Sequence, residues 1–145
     1  MKYIMLFIVL GLVSCSNDIK LGNKYGGKQD IDSKNKIIMP DGNYANLLKD
    51  YVNGYSVNIG VNKENTIVFI STKDENFETS NYRVGSIIES QDIQKISGWG
   101  NYIELKTGWF AAFENINTKE KKNKISWFFK FDFKNSTSTK NKINW

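Results

Sequence analysis

Apolar residues recur along this chain with three different spacings. The first is an unbroken run. Tyr3 to Val13 is eleven residues without a charge, with Gly11 as the one glycine. A helix crossing a bilayer core needs about 20 apolar residues, so this run is too short. With Lys2 ahead of it, it has the length of the apolar region of a secretion signal. The second spacing is helical. Tyr44, Leu47, Leu48, Tyr51 and Val52 fall at i, i+3, i+4, i+7 and i+8, one face of an amphipathic helix. Asp41 or Asn43 can cap its start, and Gly54 suits its end. Ser86-Ile87-Ile88-Glu89 reads as a capping box. It opens a second short helix toward Lys95, with Ile87, Ile88 and Ile93 turned inward.

The third spacing is alternation. Val57, Ile59 and Val61 alternate with Ser56, Asn58 and Gly60, and Thr66–Ile70 follows the polar loop 62–65. Together they predict a hairpin with a longer loop. Asn101–Lys106 and Trp109–Glu114 flank Thr107-Gly108, a second hairpin signal. In Ile125–Phe133, Trp127, Phe129, Phe131 and Phe133 share one face of a strand, with Phe128, Lys130 and Asp132 on the other. The aromatic face is read as core, with a ligand-binding surface as the sharper alternative. Helix, hairpin, short helix, hairpin, strand predicts an α+β fold. It would be a single small domain, an antiparallel sheet of about five strands with two short helices on one side.

The flanks lack such patterns. Residues 15–36 are rich in Asn, Lys, Gly, Asp and Ser and poor in apolar side chains, the composition of a flexible tether. The tail 135–145 is polar apart from Ile143 and Trp145. The expected organisation is a signal at 1–14, a tether at 15–36, a domain at 37–134 and the tail.

Cys15 is the one cysteine, and it directly follows the apolar run as Leu12-Val13-Ser14-Cys15. This resembles the lipobox of bacterial lipoproteins at every position. The resemblance covers residues 1–15. It implies that cleavage falls between Ser14 and Cys15, and that Cys15 becomes an acylated first residue. Each buried methylene contributes about 0.8 kcal/mol, so two or three fatty-acid chains make a lasting anchor. Ser16 stands where an aspartate retains some lipoproteins in the inner membrane. The implied address is the cell envelope outside the cytoplasm, and the outer membrane in a Gram-negative cell. Phe77-Glu78-Thr79 with Arg83-Val84-Gly85-Ser86 resembles a turn leading into a helix in small α/β lipoprotein domains, over about ten residues.

Charge is uneven. Residues 119–145 carry eight lysines against Glu120 and Asp132, a balance of +6, while the rest of the chain balances at −1. The basic loop brings Lys119, Lys121, Lys122 and Lys124 together in sequence, either as a solvated loop or as a patch for an acidic partner. Gly98-Trp99-Gly100 is a turn with an aromatic tip, where Trp99 binds a sugar or partner or covers the core edge.

Chemistry is sparse. The chain has no histidine, the commonest general base near neutral pH, so no Ser-His-Asp or Cys-His set exists. With no histidine and its one cysteine taken up by lipid, the chain is not expected to hold a conventional zinc site. Asp74, Asn76 and Glu78 offer oxygens at alternate positions, but without the glycine or ligand number of an EF-hand loop. Glu104 and Glu114, on adjacent expected strands, are the remaining carboxylate pair. No catalytic residues, metal or cofactor are expected. The reading is a membrane-anchored, non-catalytic protein that binds an envelope protein or a glycan, and not nucleic acid. The alternatives are an immunity or inhibitor lipoprotein that neutralises a toxin or hydrolase, and a carboxylate-based hydrolase.

Overall fold

The computed structural model describes residues 19–27, 35–89, 93–96, 100–117, 119–120 and 122–132. Among these residues there are twelve strands and no helix. The strands are β1 (Lys36–Ile38), β2 (Tyr44–Val52), β3 (Tyr55–Val61), β4 (Ile67–Thr72), β5 (Glu78–Thr79), β6 (Tyr82–Arg83), β7 (Ile87–Glu89), β8 (Gln94–Ile96), β9 (Gly100–Glu104), β10 (Phe110–Phe113), β11 (Lys122–Lys124) and β12 (Trp127–Phe131). Eight of them form one antiparallel sheet in the order β1-β2-β3-β4-β12-β10-β9-β8, curled into half a barrel. β7 pairs with β11 and β5 with β6 as small ladders beside it. The α+β expectation of five strands and two helices is therefore wrong: the fold is all-β.

The first expected helix is β2. Its apolar residues match helical spacing because they are divided between the two faces. Leu47 packs into one cluster, while Leu48 and Val52 pack into another on the opposite face, and Tyr44 and Tyr51 stay exposed. A strand with apolar residues wanted on both faces loses its period of two. The stop signal was also misassigned. Asn53 and Gly54 take φ of 51° and 84°, the conformation of a two-residue type I′ turn, and they join β2 to β3 at the Val52–Tyr55 pair.

The second expected helix is also strand. Ser86 caps nothing: its hydroxyl accepts from the Arg83 N–H at 2.9 Å, and its carbonyl accepts from the Ile125 N–H at 2.9 Å. Ile87–Glu89 then pairs with Lys122–Lys124. β-Branched isoleucines suit this ladder, and the distant partner strand was not visible locally. The segment resembling a lipoprotein-domain turn thus leads into a strand, and residues 90–92 lie outside the described residues.

Two hairpins lie where alternation placed them, as β3–β4 and β9–β10. The second has a longer loop than Thr107-Gly108 alone. The Leu105 N–H donates to Trp109 O at 2.7 Å, closing over Lys106–Gly108 with Gly108 at φ 75°. Between β3 and β4 the register slips, so that Gly60 faces Phe69 and Val61 faces Ile67. Val68 is the extra residue, and it joins Phe69 in the same cluster.

The inner face of the curl is aromatic. Phe69, Tyr102, Phe110, Phe129 and Phe131 are buried there with Met39, Ala45 and Ala112. Phe110 stacks on Phe129 at 5.1 Å and on Phe131 at 5.4 Å, and Trp127 leans on Phe129 at 4.8 Å. Small residues sit opposite rings, with Gly60 facing Phe69 and Ala112 facing Tyr102. The outer face carries two clusters under separate covers. Val57, Ile59, Val61, Ile67 and Ile70 lie under residues 19–25, while Ala111, Phe113, Ile125 and Phe128 lie under the segment from Phe77 to Ile88. Trp109 packs against both clusters and so marks the seam between them.

Candidate functional site

The most informative local structure is the N-terminal segment. Ile19, Leu21 and Tyr25 all pack on the outer face, on either side of a turn in which the Asn23 N–H donates to Lys20 O at 3.2 Å and Gly22 takes φ 85°. The backbone is tied as well. Gly22 N–H donates to Ile67 O at 2.8 Å, Ile67 N–H to Asn23 O at 2.9 Å, and Tyr25 N–H to Asn65 O at 3.0 Å. Asn65 Nδ2 returns a bond to Tyr25 O at 2.9 Å. The Tyr25 hydroxyl donates to Asp50 Oδ2 at 2.8 Å. Burial, then the bond to Asp50 and its charge, push the phenol up to about 12. Residues 19–27 lie inside the stretch that composition reads as tether, and they are a flap docked on the sheet.

Beside the flap, a groove of about 890 Å³ opens at one end of the sheet. Lys24 of the flap, Asp41 from the β1–β2 connection with Tyr44 at the start of β2, Lys63 and Glu64 from the β3–β4 loop, and Asp132 after β12 contribute to its wall. Its loops are braced from within. Asp41 accepts from Asn43 N–H and Nδ2 at 2.9 Å each, and Asn62 Oδ1 from Thr66 N–H at 2.9 Å. Lys24 Nζ donates to Glu64 O and to Thr66 Oγ1. Cations, carboxylates and the exposed Tyr44 ring are mixed, so the groove suits a polar ligand held by hydrogen bonds and ring contact. No wall residue offers imidazole or thiol. Nothing in the sequence pattern pointed to this groove, because its wall comes from four separate segments.

At the seam on the outer face, Lys130 Nζ lies 4.6 Å from the centre of the Trp109 ring. Burial holds the ammonium below the usual lysine range, and among the described residues no carboxylate pairs with it. Phe77 backs Trp109 at 4.8 Å and touches Tyr55 at 5.6 Å and Phe128 at 5.5 Å.

The residues singled out from sequence are dispersed. Ser14, Cys15, Trp99 and Lys121 lie outside the described residues. Lys119, Lys122 and Lys124 are exposed. Lys122 lies 3.8 Å from Glu89, one cation already opposed by a carboxylate. The loop carrying them is built by asparagines. Asn117 Oδ1 accepts from Lys119 and Glu120 N–H, and buried Asn123 accepts from Asn117 N–H at 2.9 Å. Asp74, Asn76 and Glu78 do not converge on an ion. Asp74 accepts from Ser56 N–H at 3.0 Å and Asn76 N–H at 2.9 Å, which hold its carboxyl below the usual range. Glu78 binds Arg83 at 2.7 Å. Glu104 faces Phe110 at one end of the β9–β10 hairpin, and Glu114 follows Phe113 at the other. Four residues of strand separate them, about 13 Å, wider than the about 5–9.5 Å that glycosidase carboxylates span. Among the described residues no group of three His, Cys, Asp or Glu is placed to hold a metal ion.

Comparison with known proteins leaves the geometry to speak for itself. No family model, no curated protein and no solved structure matches this chain.

Proposed function

We propose that this chain is a lipid-anchored, non-catalytic binding protein of the bacterial cell envelope, held at the membrane by acyl chains on Cys15. The observation that carries the reading is Leu12-Val13-Ser14-Cys15 at the end of the eleven-residue apolar run. A further feature supports it. The pre-braced polar groove and the dispersed carboxylates favour recognition of an envelope protein or glycan over chemistry.

The test is metabolic labelling with a fatty acid in cells making the wild-type chain or Cys15→Ala. The wild type is expected to carry label and to sediment with membranes, and the variant to lose both. Label that persists on Cys15→Ala overturns the proposal.

A further inference from the structure

The docked flap sets how far the sheet can stand from the lipid. We infer that the sheet lies against the bilayer surface with its flap-bearing outer face toward the phospholipid headgroups, instead of ranging on a long leash. This rests on the lipid-anchor reading of Cys15.

Only Ser16, Asn17 and Asp18 separate Cys15 from Ile19. Four residues of fully extended chain reach at most about 14 Å. A free tether running from Cys15 to Lys36 would reach roughly 75 Å. Ile19 is packed into the outer-face cluster, and the bonds of Gly22, Asn23 and Tyr25 to β4 and the loop before it fix the chain behind it. A headgroup layer is roughly 6 Å deep, from the difference between core and whole-bilayer thickness. A sulfur anchored at that layer therefore leaves no room for the outer face to turn far away.

The seam next to the flap has the chemistry of such a surface. Trp109 touches the same cluster as Ile19. Lys130 lies across its ring with no carboxylate partner among the described residues. Tryptophan and lysine are the side chains that settle at a membrane–water boundary, the ring at headgroup depth and the ammonium reaching toward phosphate. The tether-length bound and the seam chemistry are independent, and both select the same face.

The chain has no second cysteine, so a cysteine introduced into the acylated protein is its one labelling site. Lys20→Cys places a fluorophore on the flap. Lys49→Cys places one on the opposite face, since Lys49, two residues on from inward-packed Leu47 in β2, shares its face and is exposed. Acylated protein is reconstituted in phosphatidylethanolamine–phosphatidylglycerol vesicles containing a headgroup-depth nitroxide lipid. Quenching at position 20 is expected to exceed that at position 49 at least threefold. Inserting twenty Gly/Ser residues after Ser16 is expected to reduce the difference, because the seam alone then holds the face toward the lipid. Equal quenching at the two positions in the protein with its own linker overturns the inference. Acylation is read beforehand by intact mass. Protein without acyl chains sinks the anchor reading itself, whereas acylated protein with equal quenching sinks only the placement.

Discussion

Replacing Tyr25 with phenylalanine isolates the contact that locks the flap. The substitution keeps the ring, which is 8% exposed and packed on the outer-face cluster. It removes one hydroxyl, whose 2.8 Å bond to Asp50 is made to a charged acceptor. Hydrogen bonds to charged groups contribute about 1.5–3 kcal/mol. Asp50 keeps its other oxygen on the Tyr51 N–H at 2.7 Å, so the lower half of that range applies, about 1.5–2 kcal/mol. That corresponds to about ten- to thirtyfold more frequent opening of the flap. Native-state amide exchange reads it directly, because the N–H groups at 22 and 25 are bonded to Ile67 and Asn65 carbonyls. Protection at 22 and 25 should fall by that factor, while β9 and β10 amides keep theirs. Unchanged protection at 22 and 25 would refute the role of the hydroxyl. A uniform loss across the sheet would show that the flap is no separate opening unit. The pH dependence follows from the same bond. The folded phenol titrates near 12 and the unfolded one near 10, so the unfolded chain loses its proton first. The contribution is constant below pH 10 and is lost between pH 10 and about 12. Denaturant midpoints at pH 9 and pH 11.5 should therefore diverge more for the wild type than for Tyr25→Phe.

Substitutions at three further positions test the packing and the β2–β3 turn. Gly60→Ala would set its Cβ 2.8 Å from the Phe69 Cβ; overpacking of this kind costs about 1–3 kcal/mol, read as a lower urea midpoint, and an unchanged midpoint would mean that the bulge relaxes freely. Gly54→Ala meets nothing within 4 Å but holds φ at 84°, so its cost should be backbone strain alone, about 1–2 kcal/mol, and Gly54→Asn should recover most of it. Lys130→Met removes a desolvated ammonium and its ring contact, worth about 0.5–1 kcal/mol, and restores apolar area at the seam. Its thermal midpoint should stay level or rise, and a fall of more than a few degrees would show that the ammonium has a partner worth more than the ring.

What was legible in the sequence was whatever one face decides. β3, β4, β9, β10 and β12 each show alternation or a turn residue at the right place, and their residues announce them. β2 was misread because Leu47 and Leu48 are both wanted, one on each face, and their spacing imitates a helix. Asn53-Gly54 carried the correcting signal, since that pair asks for two positive φ values at a hairpin and does not merely stop a helix. β7 was invisible because its partner, β11, lies more than thirty residues away in the chain, and a four-residue capping-box pattern arises readily by chance. The flap was hidden by composition: three apolar residues among glycines and lysines look like linker, and the turn at Gly22 leaves them no regular spacing that would announce a docked segment. The groove had no signal at all, being an assembly of loop ends that only the curl of the sheet brings together.

Among the described residues the curled sheet does not close, and its two outermost strands, β1 and β8, are edges. Both β1 and β8 are only three residues long. β1 begins at Lys36 and is followed by Pro40, and β8 carries Lys95 at its centre. Short edges bearing lysine are poor templates for pairing with another chain. On the proposed anchoring at Cys15, copies of the chain share a membrane plane and meet more often than copies dispersed in solution. Blunt edges would then keep neighbouring sheets from joining end to end, so that crowding on the surface does not become polymerisation.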